Sequence, residues 1–387
     1  MIKDFLVAPG PTPVPSEILL EMAKPIYHHR TPRFSQLFDE ALKLLKYVYQ
    51  TEEDVFILAS SGTGAMEAAI VNTLSRGDRV IVVRGGKFGE RWGEICEAYG
   101  VSPIYVDVEW GNDVSPKVIE GLLKENKDVK AVFMQYSETS TGVVYDIKGI
   151  SEVVNKTDAL MIVDAITGLG VYDCPTDKWK LDIVVCGSQK SLMLPPGLGF
   201  LSFSKKAWKA NEKSNLPKFY FNLKAEKKAQ LDKTTAWTPA VTLIIGLHKA
   251  LTMIKEEGLE NVIKRHSYIA EAVRAGVKAL GLQLYAKHPA NSCTSVKVPE
   301  GVDGGKIPKL MRDKYGIAIA GGQSQTKGKI FRIGHLGYFD KSDLAVTFQS
   351  LEFTLHELGY KFEWGSSFKA VQESLFKHYK DYEIRKS

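Results

Sequence analysis

The sequence predicts an α/β protein whose larger domain holds a mostly parallel sheet and whose smaller, C-terminal domain is α+β. Short apolar runs typical of buried strands alternate with segments of helical periodicity between residues 34 and 203. Such alternation produces a parallel sheet covered by helices on both faces. Past residue 255 the rhythm changes, and 387 residues are more than one hydrophobic core usually serves.

The elements of the larger domain follow in regular order. FSQLFDEALKLLKYVY (34–49) places its apolar residues on one helical face. Strands and helices then alternate as VFILAS (55–60), TGAMEAAIVNTL (63–74), RVIVVRG (79–85), FGERWGEICEAYG (88–100), SPIYVDV (102–108) and SPKVIEGLLKEN (115–126). Four further strands are predicted at KAVFMQYS (130–137), ALMIVDA (159–165), IVVC (183–186) and LGFLSF (198–203).

The smaller domain is predicted from a different pattern. A long helical stretch from residue 239 breaks near Gly258 into two helices. Shorter strands (294–299, 316–322, 329–337) and two helices (305–315, 343–359) follow, and Phe368, Val371, Leu375 and Phe376 form an apolar face in the tail. We expect this tail to pack on the body or on a partner subunit. The predicted division is an N-terminal segment (1–15), a large domain (16–257) and a small domain (258–387).

Composition narrows the function. A net charge of +6 without a basic block argues against nucleic-acid binding. The longest apolar run is too short to span a membrane. The N-terminus lacks the apolar core of a signal peptide. Four scattered cysteines without a CxxC pair make a metal site or disulfide scaffold improbable and fit a reducing cytoplasm. Abundant Lys, Glu, Ile, Val and Tyr with little Gln hint at a thermophilic source.

Unusual polar residues collect after the strands. Small residues after VFILAS (60–64) open a helix, where backbone N–H groups can meet an anion, although the GK[ST] ending of a P-loop is missing. Asp164 ends an apolar strand, where a carboxylate either caps a neighbouring helix or faces a protonated ring nitrogen. Lys190 follows the next apolar strand, although lysine is almost never fully buried without a partner or a chemical role.

These groups match the needs of pyridoxal phosphate. The phosphate requires a helix N-terminus, the pyridinium nitrogen requires a carboxylate, and the aldehyde requires a lysine amine to form a Schiff base. An aromatic side chain stacked on the ring would complete the site, and Phe88 follows a strand at the same edge. The turn ETSTG (138–142) offers hydroxyl groups nearby.

Several stretches together carry a resemblance to a known family. APGPTPVP, SSGTGAMEAAIVN, SETSTGV, VDAITGLG, GSQKSLMLPPGLGFLSFS, TTAWTPAVTL and FRIGHLG occur in order along nearly the whole chain. The sequence thereby resembles the class V aminotransferases, most of all their serine–pyruvate, alanine–glyoxylate and serine–glyoxylate branch. The resemblance implies fold type I of the pyridoxal phosphate enzymes, with a seven-stranded sheet and a homodimer whose active sites lie at the interface.

The resemblance also implies roles for single residues. Lys190 and Asp164 are the expected catalytic residues, as the Schiff-base lysine and the partner of the pyridine nitrogen. Arg332 is the expected ligand of the substrate carboxylate, for which a planar guanidinium is suited. The expected cofactor contacts are Ser61, Gly62 and Thr63 at the phosphate, Phe88 and Ile166 on the two ring faces, Thr139 near the ring hydroxyl, and Gln189 beside the lysine.

The remaining site predictions are looser. Phosphate contacts from the partner subunit fall in KTTAWTPAV, where Thr234, Thr235 and Thr238 replace a tyrosine of some relatives, and Trp237 would narrow the pocket. The stretch YHHRTPRF suggests that Tyr27, His28, His29 and Arg30 line the entrance, although packing or surface placement fits the histidines equally well.

The expected reaction is a ping-pong transamination from serine or alanine to glyoxylate or pyruvate, in which Lys190 moves the α-proton. Two alternatives stay open. A cysteine desulfurase or selenocysteine lyase usually has a histidine before the lysine and a mobile reactive cysteine, whereas this chain has Gln189 and, as its candidate, Cys293. A non-catalytic homologue would act as a binding module, but it should have lost Lys190, Asp164 or Arg332.

Overall fold

The structure, a computed structural model, describes residues 3–378. Its first half alternates strands and helices as predicted. The elements are β1 (Phe5–Leu6), α1 (Ser16–Met22), α2 (Pro32–Tyr49), β2 (Asp54–Ala59), α3 (Gly62–Thr73), β3 (Arg79–Arg84), α4 (Lys87–Ala98), β4 (Ser102–Asp107), α5 (Pro116–Glu125), β5 (Ala131–Gln135), β6 (Ser137–Glu138), β7 (Val143–Val144), α6 (Ile147–Val154), β8 (Leu160–Asp164), β9 (Ile183–Gly187) and β10 (Leu198–Phe203).

The second half is richer in helices. Its elements are α7 (Lys205–Lys213), α8 (Leu223–Leu231), α9 (Val241–Glu257), α10 (Leu259–Ala279), β11 (Cys293–Lys297), α11 (Lys306–Tyr315), β12 (Ile317–Ala318), β13 (Ala320–Gly321), a 3₁₀ turn (Ser324–Thr326), β14 (Ile330–Gly334), α12 (Lys341–Glu357) and α13 (Ser366–Lys377). The predicted break near Gly258 is confirmed, because this residue separates α9 from α10 with φ of +85°. No helix within residues 3–378 is long and apolar enough to cross a bilayer.

The main sheet has seven strands in the order β2-β10-β9-β8-β5-β3-β4. Strand β10 runs antiparallel to both of its neighbours, and β3, β4, β5, β8 and β9 pair in parallel. The predicted mostly parallel sheet is therefore confirmed. A loop without a helix (188–197) joins β9 to β10, and a direct connection of this kind suits antiparallel neighbours.

Both faces of this sheet are covered. Alternate strand residues such as Ile81 and Val163 pack against α2, α5, α6 and α9. Residues of opposite orientation, such as Val82 and Ile162, pack against α3, α4 and α7. Burial on both faces explains the continuous apolar runs of these strands. The carboxyl ends of the parallel strands are thereby held at one rigid edge.

A third apolar cluster forms around the antiparallel sheet β11-β14-β13 and helices α10 to α13. Val7 belongs to this cluster, and β1 pairs in parallel with β12. In α13, Val371 is buried, while Phe368 and Phe376 are largely exposed. We propose the division into residues 1–15, 16–257 and 258–387, which the separate clusters support, although the N-terminal segment packs with the small domain.

Candidate active site

Asp164 and Lys190 are contributed by neighbouring strands at the carboxyl edge of the main sheet. Asp164 is the last residue of β8 and pairs with Val185 of β9, and Lys190 lies three residues beyond the end of β9. The Oδ1 atom of Asp164 accepts a hydrogen bond from the backbone N–H of Ile166 at 2.8 Å. Because Ile166 lies in a loop, Asp164 does not cap a neighbouring helix there.

Desolvation shifts the pKa of each group in the direction that favours its neutral form. Desolvation raises the pKa of Asp164 to about 7, with a further upward contribution from the charge of Glu138. Desolvation lowers the pKa of Lys190 to about 8, and the charge of Arg332 acts in the same direction. The mutual attraction of Asp164 and Lys190 opposes both shifts. Near neutral pH, both groups can therefore exchange a proton readily.

The N-terminal segment holds the lysine side chain. Lys190 Nζ donates a hydrogen bond to the backbone oxygen of Pro9 at 2.6 Å. Thr12 Oγ1 donates to the Lys190 oxygen at 2.9 Å, and the Thr12 N–H donates to the Gln189 oxygen at 3.1 Å. Gly10 leaves room for the side chain, since a Cβ atom there would lie 1.9 Å from Lys190 Nζ.

The start of α3 lies where the sequence predicts a phosphate site, and no side chain caps it. Ser61 is the N-cap residue and Gly62 and Thr63 begin the helix, yet the Ser61 side chain makes no capping hydrogen bond. A Cβ atom on Gly62 would lie 2.5 Å from Ile166 Cδ1, so the helix start and Ile166 are in close contact. Ser61, Gly62, Thr63 and Ile166 are thus brought together beside Asp164.

Phe88 lies in the first turn of α4, next to a second buried carboxylate, that of Glu138. Its backbone N–H donates to Glu138 Oε2 at 3.1 Å. The guanidinium of Arg91 lies 4.9 Å from the centre of the Phe88 ring and donates to Thr63 Oγ1 at 3.2 Å. Arg91 therefore links Phe88 to the start of α3.

Thr139 and Arg332 meet at the turn that follows β6. Thr139 is buried, and its Oγ1 shares a hydrogen bond of 2.9 Å with Thr167 Oγ1. Arg332 Nη1 donates to the Thr139 oxygen at 3.0 Å, while Nε and Nη2 donate to the Gly321 oxygen at 3.0 and 2.8 Å. Three of the five guanidinium N–H groups are engaged, so two are left for a carboxylate ligand.

Unsatisfied buried polar atoms test whether a polar cofactor fits this edge. Gln189 Oε1 is buried without a hydrogen-bond partner, as are both amide atoms of Gln135, whose Cα pairs with that of Asp164. Unpaired buried polar atoms are costly, so they indicate a ligand or ordered water at that place. Together with the uncapped start of α3, the lysine and the carboxylate, they fit a phosphorylated pyridine aldehyde.

The predicted phosphate contacts of the partner subunit lie in a separate pocket of this chain. Thr235 and Thr238 line it with Ala59 and Tyr220. Thr235 Oγ1 donates to the Trp237 oxygen at 2.5 Å, and Trp237 Nε1 donates to the Tyr220 oxygen at 2.8 Å. This chain alone does not join them to Lys190, and their role remains a prediction about a second copy. Thr234 does not line this pocket, and its Oγ1 is buried without a hydrogen-bond partner.

The segment predicted at the entrance lies between α1 and α2. His28 and Arg30 are exposed, and the rings of His28 and His29 are 4.6 Å apart. The guanidinium of Arg33 lies 4.1 Å from the centre of the Tyr27 ring. The residues of this segment contact one another and α2. Their role at the entrance of the active site therefore remains a prediction.

Cys293, the candidate sulfur carrier, is fully buried at the start of β11. Its Sγ lies 3.7 Å from the Thr139 oxygen, and burial raises the pKa of its thiol to about 11. A thiol without thiolate character and without access to solvent is a poor nucleophile. The geometry therefore argues against the lyase alternative. Among residues 3–378, no three His, Cys, Asp or Glu side chains are placed to hold a metal ion.

Comparison with known proteins identifies the class to which this fold and site belong. The family model for class V aminotransferases matches residues 5–337. The chain belongs to the class V aminotransferase family and is an enzyme of that class.

Individual relatives cover nearly the whole chain. The small subunit of a soluble hydrogenase of Synechococcus sp. is 46% identical, with 92% of this chain and 94% of the relative covered. L-aspartate–glyoxylate aminotransferase of Paracoccus denitrificans is 38% identical, with 94% of each covered. Serine–glyoxylate aminotransferase of Methylorubrum extorquens is 36% identical, with 96% of each covered.

A solved structure has the same fold. Ureidoglycine–glyoxylate aminotransferase of Bacillus subtilis superposes with a TM-score of 0.92 at 29% identity, over 97% of this chain and 98% of that one. The predicted fold, with a mostly parallel seven-stranded sheet and a smaller second domain, is thereby confirmed as that of the pyridoxal phosphate-dependent aminotransferases.

Sequence reasoning missed three parts of this site. Glu138 was visible only as part of a polar turn, and Arg91 only as a polar position on an amphipathic helix. The contact between Lys190 and the Pro9 oxygen joins residues 181 positions apart. A signal existed only for Glu138, because a carboxylate directly after the apolar strand predicted at KAVFMQYS (130–137) needs a partner.

Proposed function

We propose that this chain transfers the amino group of a small L-amino acid, serine or alanine, to a small 2-oxo acid, glyoxylate or pyruvate, with pyridoxal 5′-phosphate as cofactor. One observation carries the proposal: a half-buried lysine, whose pKa desolvation lowers to about 8, lies one strand away from a buried aspartate. The named aminotransferase relatives support glyoxylate as acceptor, because each of their names includes it.

The residues present fit the cofactor. Ser61, Gly62 and Thr63 would hold its phosphate at the start of α3. Phe88 and Ile166 would contact the two faces of its ring, and Asp164 would face the ring nitrogen. When bound, the cofactor supplies an electron-accepting ring that stabilises negative charge on the substrate α-carbon.

Each protein group then has a chemical task. The Lys190 amine would hold the aldehyde and, once released, take the α-proton, because a pKa of about 8 leaves roughly a tenth of the amine neutral at pH 7, far more than the ordinary lysine pKa of 10.5 allows. Arg332 would bind the α-carboxylate with its two remaining N–H groups. Asp164 would keep negative charge beside the ring, and Thr139 would orient the ring edge.

The choice of the amino donor depends on which amino acids Arg332 can tell apart. Its guanidinium reads the α-carboxylate shared by all amino acids, so the choice between donors lies with the rest of the pocket. Serine and aspartate are named donors of two relatives. We favour a small donor because the sequence offers no clearly placed second arginine for a distal carboxylate.

The setting of the enzyme is proposed more coarsely. We propose a homodimer in which Thr235 and Thr238 of one chain approach the phosphate bound by the other. The four cysteines are unpaired and buried, which supports a reducing cytoplasm. Composition supports a thermophilic source, and the substrates are small molecules rather than nucleic acid or membrane.

The test begins with the absorption spectrum of the purified protein supplied with pyridoxal 5′-phosphate. We expect a band at about 420 nm that disappears with L-serine or L-alanine and returns with glyoxylate or pyruvate. L-aspartate and L-cysteine serve as comparisons. Loss of the band with cysteine alone would support the lyase, and a chain that never shows the band would support a non-catalytic homologue.

Two lysine variants assign the band to a residue. Lys190→Ala should not retain the cofactor after borohydride reduction and should lose at least about 10³-fold in rate. Lys206→Ala is the matched control, because Lys206 Nζ also donates to a backbone oxygen, that of Ala159, at 2.6 Å. Covalent retention by the Lys190 variant would contradict the assignment.

A further inference from the structure

Glu138 is a fully buried carboxylate to which the proposed mechanism gives no task. Its Oε2 accepts hydrogen bonds from the backbone N–H groups of Phe88 at 3.1 Å and Gly89 at 3.0 Å. Its Oε1 accepts from the Ser140 N–H at 3.1 Å and from Ser140 Oγ at 2.5 Å. Burial raises the pKa of Glu138, and these four hydrogen bonds oppose the rise.

Ser140 completes the arrangement. Its Oγ accepts a hydrogen bond from the backbone N–H of Lys87 at 3.0 Å. Lys87, Phe88 and Gly89 are the first three residues of α4, and the N-cap residue Gly86 offers no side chain. The first three N–H groups of α4 are therefore capped by two side chains that lie about fifty positions further along the chain.

The backbone is shaped to admit this carboxylate. A Cβ atom on Gly86 would lie 2.3 Å from Glu138 Cδ and 2.4 Å from Ser140 Oγ. A side chain at Gly86 would therefore push the helix start away from the turn. The close approach is a built feature of the fold, because ordinary residues at Gly86 would prevent it.

This contact joins two segments that each carry a predicted cofactor residue. Phe88 belongs to the start of α4, and Thr139 lies between Glu138 and Ser140 in the turn. The oxygen of Thr139 also receives the hydrogen bond from Arg332 Nη1. The aromatic residue, the ring-edge threonine and the carboxylate-binding arginine thus share one junction, at Glu138.

We propose that Glu138 is a positioning residue for the transamination: its buried carboxylate fixes the start of α4, and with it Phe88, to the turn that carries Thr139 and contacts Arg332. The inference rests on the proposed function, because positioning has meaning only for a bound cofactor and substrate. Glu138 itself is not proposed to contact the cofactor or the substrate.

The charge of Glu138 gives the role a second readout. Glu138 acts on the pKa of Asp164, Arg332, Cys293 and Tyr145, and Lys190 and Arg91 are further charged groups around Asp164. Replacing the carboxylate by an amide removes a negative charge from this group. The pH midpoint of the cofactor absorption should therefore fall, because a cationic form loses a stabilising neighbour.

The experiment compares Glu138→Gln with a matched control, Glu352→Gln. Glu352 is also buried and accepts from the Gly365 N–H at 2.9 Å, the Ser367 N–H at 3.2 Å and Ser367 Oγ at 2.6 Å, at the start of α13. Both substitutions damage the same kind of helix cap. Only the first cap adjoins the candidate active site.

Three quantities are measured: amide hydrogen exchange without cofactor, the dissociation constant of pyridoxal 5′-phosphate, and the pH midpoint of its absorption. For Glu138→Gln we expect exchange at residues 87–89 to accelerate and the dissociation constant to rise, each by at least about tenfold, the factor for one charge-assisted hydrogen bond. The midpoint should fall by about half a unit. For Glu352→Gln only the amides of residues 365–367 should exchange faster.

Unchanged cofactor affinity and midpoint in Glu138→Gln, despite faster exchange, would overturn the proposal, and so would equal losses in the control. Should Glu138→Gln fail to fold, Ser140→Ala replaces it, because this variant frees the Lys87 N–H and removes the hydrogen bond from Ser140 Oγ to Glu138. We then expect faster exchange at Lys87 and a smaller rise in the dissociation constant, with the pH midpoint unchanged because the carboxylate remains, and an unchanged dissociation constant would overturn the proposal. A wild-type chain without a cofactor band would contradict the proposed function, whereas exchange without cofactor would still decide whether Glu138 fixes α4.

Discussion

At the scale of single residues, Asp164 and Lys190 show how the fold prepares two ionisable groups. Burial raises the pKa of Asp164 to about 7 and lowers the pKa of Lys190 to about 8. The fold therefore bears an energetic cost when both groups are charged. A cationic ring beside Asp164 would reduce that cost, which is why the cofactor should stabilise the chain.

The pH dependence of stability without cofactor tests the buried carboxyl. The pKa of Asp164 is higher in the folded chain than its ordinary 3.8, so its stabilising contribution is present below about pH 4 and is lost as the pH rises to about 7. We expect wild type to lose about 4 kcal/mol relative to Asp164→Asn over this range. Urea unfolding at several pH values measures this difference, and parallel curves would contradict it.

Substrate binding tests Arg332. Lysine cannot keep two hydrogen bonds to Gly321, one to Thr139 and a planar pair for a carboxylate. We expect Arg332→Lys to raise the KM for the amino donor roughly 10²-fold, with a smaller fall in kcat. Arg274→Lys is the control, because Arg274 is also largely buried and donates to the Ala290 oxygen at 3.3 Å. Equal KM values in both variants would contradict the role.

Several residues of the site were predictable because each follows an apolar strand or opens a helix at the carboxyl edge. Lys190, Asp164 and Phe88 were predicted in this way and stay predictions of function, and the structure places Arg332 beside Thr139. Glu138 and Arg91 were not found, because their partners lie far away in the sequence. Contacts of this kind depend on how two distant segments meet, and no local pattern records that.

At the scale of elements, the N-terminal segment and the start of α3 each bring a glycine against a predicted site residue. Gly10 lies against the Lys190 side chain, and Gly62 lies against Ile166. Neither position tolerates a Cβ atom without displacing a predicted site residue. These two glycines therefore set the width of the site at the level of the backbone.

Replacing Gly10 separates this spatial role from backbone strain. Gly10 has φ of +139°, and a Cβ atom there would lie 1.9 Å from Lys190 Nζ. We expect Gly10→Ala to lower the transamination rate at least about 10²-fold by moving the amine. Gly301→Ala is the control, since Gly301 has φ of +78° and nothing within 4 Å of its Cβ position. The control should cost about 1 kcal/mol of stability and keep its rate.

The elements themselves were largely predictable, since long apolar runs and amphipathic periods identify strands and helices locally. The direction of β10 was not predicted. Its residues form the same continuous apolar run as the parallel strands, because burial on both faces produces that run whichever way the strand points. Only the short connection from β9 carries the information.

At the scale of the whole molecule, an exposed aromatic patch marks the surface where we propose the second chain binds. The patch consists of Phe219, Tyr220 and the half-buried Trp237; Phe219 is 77% exposed, and the centre of its ring lies 4.9 Å from that of Trp237. It adjoins the pocket of Thr235 and Thr238. A large apolar side chain left open to water at this place favours an interface.

We expect the wild type to behave in solution as twice its chain mass of 43.0 kDa. Phe219→Asp should weaken the dimer and, with it, cofactor affinity by at least about tenfold, because the partner's threonines would be lost from the phosphate. Val118→Asp, at an exposed apolar residue of α5, should leave both unchanged. Light scattering measures the mass, and a Phe219 variant that stays dimeric with full affinity would contradict the proposed interface.

The first residues of the described chain have a mechanical consequence. The backbone of Val7 is hydrogen-bonded to Ala318 and Gly334, which lie in the C-terminal part of the chain. Pro9 accepts a hydrogen bond from Lys190, and Thr12 donates one to Gln189, next to the main sheet. Residues 7–12 thus connect the two halves of the protein by hydrogen bonds, and the Lys190 amine is one of the groups that they hold. A displacement of β12 would move this backbone and, through the hydrogen bond to the Pro9 oxygen, would change the position of the Lys190 amine.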